Sequence, residues 1–432
     1  MTALVISNAR ILDPATDRDF RGALLVENDV IMEMVEGAAP GRPEGAEPID
    51  AGGLILAPGL IDMRVFTGEP GHEYRETLQS AGEAAAAGGV TTFVMMPDTL
   101  PVIDDAALID FLIRRAKATA CVNVLPAGAL TRGLRGEEIT EFGLLSEAGA
   151  VCFSDGRRSI QSAGLMRAAL TYAANFDKPV VHHTAEQSLV GDGVMNEGAF
   201  ATVLGLRGIP REAETVPLAR DLQLAAATGA RYHAAQISTA ASVALIAAAK
   251  EPGKPISCGA SINSLALNEN DVGSYRTYFK LNPPLRSEDD RQALVHGLRS
   301  GVVDVIHSDH DPQDTEVKRR PFAEAADGAI GLETMLAAAL RLVHSGDVPL
   351  MTVLRAMTSR PADILGLAAG RLTRGAPADL VLIDPDYPWQ LTERSIRSRS
   401  RNTAFEGARL TGKVMRTFVS GRQVFAHEED TR

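Results

Sequence analysis

A repeated alternation of helical and strand-like segments constrains the fold of this chain more than any other feature. From about residue 57 onward, Ala-rich stretches with helical character each precede a short apolar run. Several of these stretches end at a glycine, as helix C-termini prefer, namely at Gly88, Gly149, Gly229 and Gly301. The alternation indicates an α/β protein with a parallel sheet, and the number of units predicts a closed (β/α)8 barrel over residues 57–365.

The two ends of the chain differ from the middle. Residues 1–56 contain short runs rich in β-branched residues, and the run around Glu27, Asn28 and Asp29 is typical of a hairpin. Strand-like runs return in residues 366–432. We therefore predict one small β-sandwich domain, formed by both termini, beside a TIM-like barrel.

The composition argues against several classes of protein. The 432 residues are 45% hydrophobic and 23% charged, which is ordinary for a soluble globular protein. A net charge of -12 argues against nucleic acid or an anionic membrane as a partner. No apolar run approaches the roughly 18 residues of a membrane span, and the N-terminus lacks the pattern of a signal peptide. Three widely spaced cysteines fit a reducing compartment, so we expect a cytoplasmic protein.

Polar residues gather at the C-terminal ends of the predicted strands, where barrels of this kind carry their chemistry. A hydrolytic metal site needs several histidine and carboxylate ligands that converge on one point. His183 and Asp309 could belong to such a site, with Asp155 as a further candidate. In the simpler interpretation, one histidine of the pair His182–His183 packs and the other hydrogen-bonds, while the acidic run SDHDPQD is solvated. The other candidates are Asp62, Arg64, Phe66, Asp98, Glu186, His233, Gln236, Asn282, His310 and Asp311.

A long series of motifs resembles the dihydroorotases and related cyclic amidohydrolases. The segment APGLIDMRVFTGEPG, residues 57–71, matches the frame in which that family carries Asp-x-His-x-His and then Glu-Pro-Gly. The resemblance continues through MMPDT, FSDG, HHTAEQ, YHAAQIST, FKLNPPLRSEDDR and GRLTRGAPADLVLID, and it spans nearly the whole chain. It implies an amidohydrolase-type barrel, hydrolysis of a cyclic amide C–N bond with zinc, and a place in pyrimidine biosynthesis.

The sequence departs from the family pattern where the family binds metal. The two strand histidines of the family fall on Arg64 and Phe66, which share one face of a strand. Neither residue can coordinate zinc, because Arg has no lone pair to give and Phe has no donor atom. A third family ligand histidine falls on Gln236, while the first histidine of the same motif is retained as His233, and the histidine that closes the Asp-His-x-Pro-His motif of the family falls on Gln313.

Other family positions concern catalysis and substrate binding. The residue that bridges two metals falls on Asp155 or on Gly156, and these two remain alternatives. The arginine that binds the substrate carboxylate falls on Gly68, and a substrate-binding asparagine falls on Asp98. The positions that match the family are His183 as a metal ligand, Asn282 as a substrate-binding residue and Asp309 as the catalytic acid/base and metal ligand.

These departures suggest a replacement for the metal. A buried carboxylate without a partner is unfavourable, and a guanidinium group is well suited to pair with one. We therefore hypothesise that Arg64 takes the place of the metal and pairs with Asp309. In the alternative, the Arg64 side chain simply extends to solvent at the barrel mouth.

Two functions of different classes follow from the resemblance. In the first, which we favour because three histidine ligands are lost, the chain is a catalytically inactive dihydroorotase homologue without a cofactor. It would then be a structural partner of aspartate carbamoyltransferase and a homo-oligomer. In the second, it is an active zinc-dependent dihydroorotase or related cyclic amidohydrolase that uses His183, Asp309 and Asp155, Gln236 or His182. A third, weaker option is a barrel that binds a pyrimidine intermediate without turnover.

Overall fold

A computed structural model describes residues 3–37, 45–251 and 253–428 of the chain. Parts of the predicted small domain, residues 1–2, 38–44 and 429–432, therefore lie outside the described residues. Within the described ranges, no helix combines the length and the apolar character needed to cross a bilayer.

The two ends of the chain meet in one sheet. Its N-terminal strands are β1 (Ala3–Asp13), β2 (Arg18–Glu27), β3 (Val30–Glu36), β4 (Glu47–Asp50) and β5 (Ile55–Pro58). Its C-terminal strands are β17 (Leu380–Gln390), β18 (Arg409–Val419) and β19 (Arg422–Ala426). The order is β19-β18-β17-β5-β1-β2-β3, and β4 pairs with β1. The small β domain predicted for the two termini is thus present, and its eight strands belong to one continuous sheet.

The predicted N-terminal hairpin is confirmed. Strands β2 and β3 are antiparallel, and Glu27 pairs with Val30. Asn28 and Asp29, which connect them, have φ angles of 50° and 69°. A two-residue turn of type I′ requires this left-handed conformation at both central positions, and Asn and Asp tolerate it well.

The middle of the chain forms the barrel. Its strands are β6 (Leu60–Val65), β7 (Val90–Met95), β8 (Asn123–Pro126), β9 (Gly128–Ala129), β10 (Phe153–Ser154), β11 (Val180–His182), β14 (Tyr232–Ala234), β15 (Ile256–Ser261) and β16 (Val305–His307). All of their pairings are parallel, and a bridge between Val65 and His310 closes the ring. Since β8 and β9 are parted by one residue, the described residues contain eight strand positions. Strands β12 (Met195–Asn196) and β13 (Gly208–Ile209) pair only with each other.

Helices connect the barrel strands. They are α1 (Leu78–Ala87), α2 (Ala106–Thr119), α3 (Phe142–Glu147), α4 (Ala163–Ala173), α5 (Gln187–Val190), α6 (Ala199–Leu204), α7 (Glu212–Thr228), α8 (Ala240–Ala249), α9 (Ile262–Ala266), α10 (Glu288–Ser300), α11 (Thr315–Lys318), α12 (Met335–His344), α13 (Leu350–Met357) and α14 (Ser359–Leu365). Side chains of Thr77, Asp105 and Ser162 accept backbone N–H groups at the starts of α1, α2 and α4, which fixes where these helices begin.

An apolar cluster fills the barrel and supports the mouth. It joins Ile61 and Met63 of β6 with Val181 of β11, with Ala235, which follows β14, and with Val305 of β16. Side chains from opposite strands of a barrel can meet only in its interior. The polar residues that follow these strands in sequence therefore emerge at the C-terminal end, as the sequence predicts.

Candidate functional site at the barrel mouth

Side chains from several strand ends surround a cavity of about 280 Å³ at the barrel mouth. Arg64 comes from β6, whereas Asp309 and Asp311 follow β16. Further lining residues include Phe66, Arg75, Arg157, Asn282 and Gln313. The structure therefore brings together many of the residues that the sequence singles out, and it adds two arginines.

Arg64 forms a buried ion pair with Asp309. Its Nε donates to Asp309 Oδ1 at 2.8 Å, and its Nη1 donates to the carbonyl oxygen of Gly156 at 3.2 Å. The side chains of Arg64 and Asp309 are only 3% and 12% exposed. The hypothesis that these two residues pair is thus confirmed, and the alternative of a solvent-directed Arg64 is wrong. Asp309 has a φ of 51°, an uncommon backbone conformation that Asp tolerates.

A second ion-pair system lies beside the first. Arg157 donates to both oxygens of Asp311, at 2.9 and 2.5 Å, and its Nη1 lies 3.1 Å from Asp98 Oδ2. Gln313, at a position where the family has histidine, donates from Nε2 to Asp311 Oδ1 at 2.7 Å. Carboxylates therefore lie along two edges of the Arg157 guanidinium, where its N–H groups point, a geometry that suits this group.

The ring of Phe66 contacts both guanidinium groups. The Cζ atoms of Arg64 and Arg157 lie 5.0 and 3.9 Å from the centre of its ring. Both distances fall within the range of cation–π contacts. The second histidine position of the family is thus occupied by an aromatic platform for two cations.

Two glycines leave room for the carboxylates of this network. Gly156 has a φ of 62°, and a Cβ atom there would lie 2.6 Å from Asp98 Oδ1. Gly328 has a φ of 108°, and a Cβ atom there would collide with the carboxylate of Asp311. Any larger residue at either position would displace an aspartate from Arg157.

Three buried histidines lie in the surroundings of Arg64. His183 and His307 make no hydrogen bond through either ring nitrogen, whereas His233 shares a hydrogen bond of 2.8 Å with Ser257 Oγ. Burial lowers the pKa of His233 to about 4. Burial, together with the charge of Arg64, also lowers the pKa values of His183 and His307 well below their usual range. All three rings are therefore neutral at pH 7.

Asp155 does not join this site. Its Oδ1 accepts the backbone N–H groups of Leu130 and Thr131, both at 2.9 Å, and its Oδ2 accepts the hydroxyl of Thr131 at 2.5 Å. Burial raises the pKa of the Asp155 carboxyl. The neighbouring Gly156 instead contributes its carbonyl oxygen to Arg64. Asp155 thus has a structural role at the end of β10.

Other candidate residues also have structural partners. His182 Nδ1 lies 2.7 Å from Asp221 Oδ2, and its Nε2 accepts the N–H of Ile160, so the simpler interpretation describes this histidine. His310 Nδ1 accepts the N–H of Gly331 at 3.2 Å.

Asp62 accepts the N–H groups of Arg64 and Ser308, and burial raises its pKa to about 6. Glu186 caps α5, and Gln236 Nε2 donates to the carbonyl oxygen of Asn282 at 2.8 Å.

The residues at the mouth do not fit a zinc site. Of the predicted ligands, Asp309 is engaged by Arg64 and Asp155 by Thr131, which leaves His183. Within the described part of the chain, no group of three or more His, Cys, Asp or Glu side chains is arranged to hold a metal ion. The guanidinium of Arg64 would also repel a divalent cation placed beside Asp309. The side chains present at the mouth therefore do not supply the ligand set of a zinc site.

Arg157, Arg75 and His307 were not predicted from the sequence. One signal pointed to Arg157, because it follows the FSDG motif directly. The mouth retains the three carboxylates of Asp98, Asp309 and Asp311, and one arginine cannot neutralise them. A search for a second cation at a strand end would have led to Arg157.

The Arg64–Asp309 pair predicts a specific pattern of stability. Arg64→Met should lower the free energy of unfolding by about 3–5 kcal/mol, because it leaves Asp309 buried without a partner. Arg64→Met combined with Asp309→Asn should recover most of this loss, since Asn accepts the positive φ of position 309. As a control, Arg10→Met removes the exposed pair with Asp19 and should cost at most about 1 kcal/mol. Urea unfolding checks these values, and equal losses in the single and double variants would show that the two side chains are not coupled.

His233 predicts a loss of stability in acid. A histidine whose pKa falls to about 4 on folding binds a proton more tightly in the unfolded chain, so its contribution is lost as pH falls below about 6.5. Between about pH 7.5 and 5, wild type should lose roughly 2 kcal/mol more than His233→Asn, which retains a polar atom near Ser257. His296→Asn, a change at an exposed histidine, serves as the control. The same pH slope in wild type and His233→Asn would contradict this assignment.

Comparison with known sequences agrees with the resemblance. A family profile described as dihydro-orotase-like matches residues 53–242. The dihydroorotase of Pelobacter propionicus is 43% identical over 422 residues, which cover 98% of this chain and 99% of that protein. The dihydroorotase of Anaeromyxobacter dehalogenans is 42% identical over 429 residues, which cover 99% and 98%.

Comparison with solved structures supports the fold. An L-hydantoinase (dihydropyrimidinase) from Arthrobacter aurescens superposes with a TM-score of 0.89 at 25% identity, over 99% of this chain and 96% of that one. A dihydropyrimidinase from Brevibacillus agri has a TM-score of 0.83 at 20% identity, covers 98% and 95%, and so bears on the fold alone. With a barrel of this type and more than 40% identity along almost its whole length, the chain belongs to the dihydroorotase family of cyclic amidohydrolases.

Proposed function

We propose that this chain is a catalytically inactive member of the dihydroorotase family that acts in pyrimidine biosynthesis as a structural partner of aspartate carbamoyltransferase. The Arg64–Asp309 ion pair is the single observation that carries the catalytic part of this proposal. Asp309 stands at the family's acid/base position, and a carboxylate that is held by a buried guanidinium is poorly placed to exchange protons with a substrate.

The surroundings of Asp309 support the same interpretation. Metal-dependent amide hydrolysis needs a Lewis acid that polarises a carbonyl and lowers the pKa of a bound water. A guanidinium has no coordination position at which a water could bind and ionise, and the Nε and Nη1 donors of Arg64 already bond to Asp309 and to the carbonyl oxygen of Gly156. Arg157 and Phe66 also occupy space at the mouth, and Gly68 offers no side chain to hold a substrate carboxylate.

One observation favours the second function, an active dihydroorotase. The relatives from Pelobacter propionicus and Anaeromyxobacter dehalogenans are named dihydroorotases, and their similarity covers almost the whole chain. An assay must therefore separate the two functions.

The assay is hydrolysis of dihydroorotate by purified protein supplied in turn with zinc, cobalt and manganese. We expect no turnover above that of a mock purification, whereas the Pelobacter propionicus relative tested in parallel is the positive control. Asp309→Asn separates activity of this chain from a contaminating host enzyme. Turnover that rises with zinc and is abolished by Asp309→Asn would overturn the proposal of an inactive protein.

The proposed partner requires a separate test. The resemblance to homologues that assemble with aspartate carbamoyltransferase supports this part of the proposal. After co-expression with the transferase of the same organism, we expect one size-exclusion peak that contains both chains in a fixed ratio. Arg64→Met/Asp309→Asn should co-elute equally well, because the mouth is not needed for assembly. Separate elution at micromolar concentration would contradict the partnership, and the chain run alone tests the proposed homo-oligomer.

A further inference from the structure

A second cavity lies at the junction of the barrel and the terminal sheet. Its volume is about 550 Å³, and it shares no lining residue with the cavity at the barrel mouth. The end of α1, the start of α12, strands β18 and β19 and the segment 391–397 surround it. We call it the junction cavity. Its size falls in the range of small-molecule sites.

Two aromatic rings line the junction cavity. Trp389 and Phe425 are both half-buried, and Trp389 Nε1 donates to the carbonyl oxygen of Gly412 at 2.9 Å, which fixes the indole. Leu336 and Val414 are buried and contribute apolar surface beside them. The fixed indole of Trp389 offers a flat surface on which another planar ring can stack.

Basic side chains border the same rings. Lys413 Nζ lies 4.1 Å from the centre of the Trp389 ring, and Arg397 Cζ lies 5.1 Å from that of Phe425. Arg394 is exposed and also lines the cavity. Within the described ranges, the guanidinium groups of Arg394 and Arg397 form neither a hydrogen bond nor an ion pair, so their donors are available to a ligand.

The acidic side chains at the junction cavity do not cancel this charge. Glu333 is already committed, because its carboxylate accepts the backbone N–H groups of Arg397 and Ser398 at 2.9 to 3.2 Å. Glu428 is the other carboxylate in the lining. The lining therefore carries more cationic than anionic groups, in a chain whose net charge is -12.

We propose that the junction cavity binds a small anion that carries a planar aromatic ring, of the nucleoside phosphate class. The ring would stack on Trp389 or Phe425, and the phosphates would accept hydrogen bonds from Arg394 and Arg397. No bond is made or broken in this binding. The inference is independent of the function proposed for the barrel mouth, because the two cavities have no residue in common.

The fluorescence of Trp389 tests the proposal directly, since this is the only tryptophan in the chain. The wild-type protein is titrated with UTP and ATP, with uridine and inorganic tripolyphosphate as partial probes. We expect a saturable change with at least one nucleotide, and affinities at least tenfold weaker for uridine and tripolyphosphate. Isothermal calorimetry detects binding that leaves the emission of the indole unchanged.

Paired variants locate the binding site. Arg394→Ala/Arg397→Ala should weaken nucleotide binding about tenfold or more, since each charge-assisted hydrogen bond lost has roughly this effect. Arg399→Ala is the matched control, because Arg399 is an exposed arginine of the same stretch that does not line the cavity. Binding should also weaken as ionic strength rises.

The proposal is overturned if neither fluorescence nor calorimetry detects saturable binding up to about 5 mM nucleotide, a range that includes weak sites. It is also overturned if the Arg394→Ala/Arg397→Ala variant binds as wild type does, or if uridine binds as tightly as UTP.

Discussion

The ion pair between Arg64 and Asp309 determines what the barrel mouth can do. It connects a residue of β6, the first barrel strand, with one that follows β16, the last, at the point where the bridge between Val65 and His310 closes the ring. A metal ion bound by side chains would make a similar connection between strands. A guanidinium, however, has a permanent charge, a fixed fork of donors and no coordination position for water or a carbonyl oxygen. The mouth thus has a cationic link between its strands that cannot itself act as a Lewis acid.

The other charges at the mouth are arranged around this link. Arg157 holds Asp311 and Asp98, and the ring of Phe66 contacts both guanidinium groups. Buried ion pairs of this kind seldom stabilise a protein more than apolar side chains of similar size would, but the loss of one partner is strongly unfavourable. Replacement of a single residue of the network is therefore more harmful than replacement of a matched pair.

The sequence was sufficient for much of the fold and for the central ion pair. The alternation of helices and strands predicted the barrel, the residues Asn28 and Asp29 predicted the hairpin, and the match of Arg64 to a family metal position predicted its contact with Asp309. The direction of Asp155 could not be predicted, because it depends on N–H groups of Leu130 and Thr131 that folding brings to it. The junction cavity escaped prediction for the same reason, since it depends on contacts between segments far apart in the chain.

Similarity along the whole chain does not determine the chemistry of the mouth. A few residues decide that chemistry, and Arg64, Phe66 and Gln236 stand where the family has ligand histidines, whereas the fold is carried by hundreds of others. The most direct measurement is thermal unfolding of the purified protein with excess zinc and after treatment with a chelator. We expect the two midpoints to agree within about 1 °C, because a ligand that does not bind the native state cannot stabilise it. A rise of several degrees with zinc that disappears in Asp309→Asn would show a metal site at the mouth and contradict the replacement of the metal by Arg64.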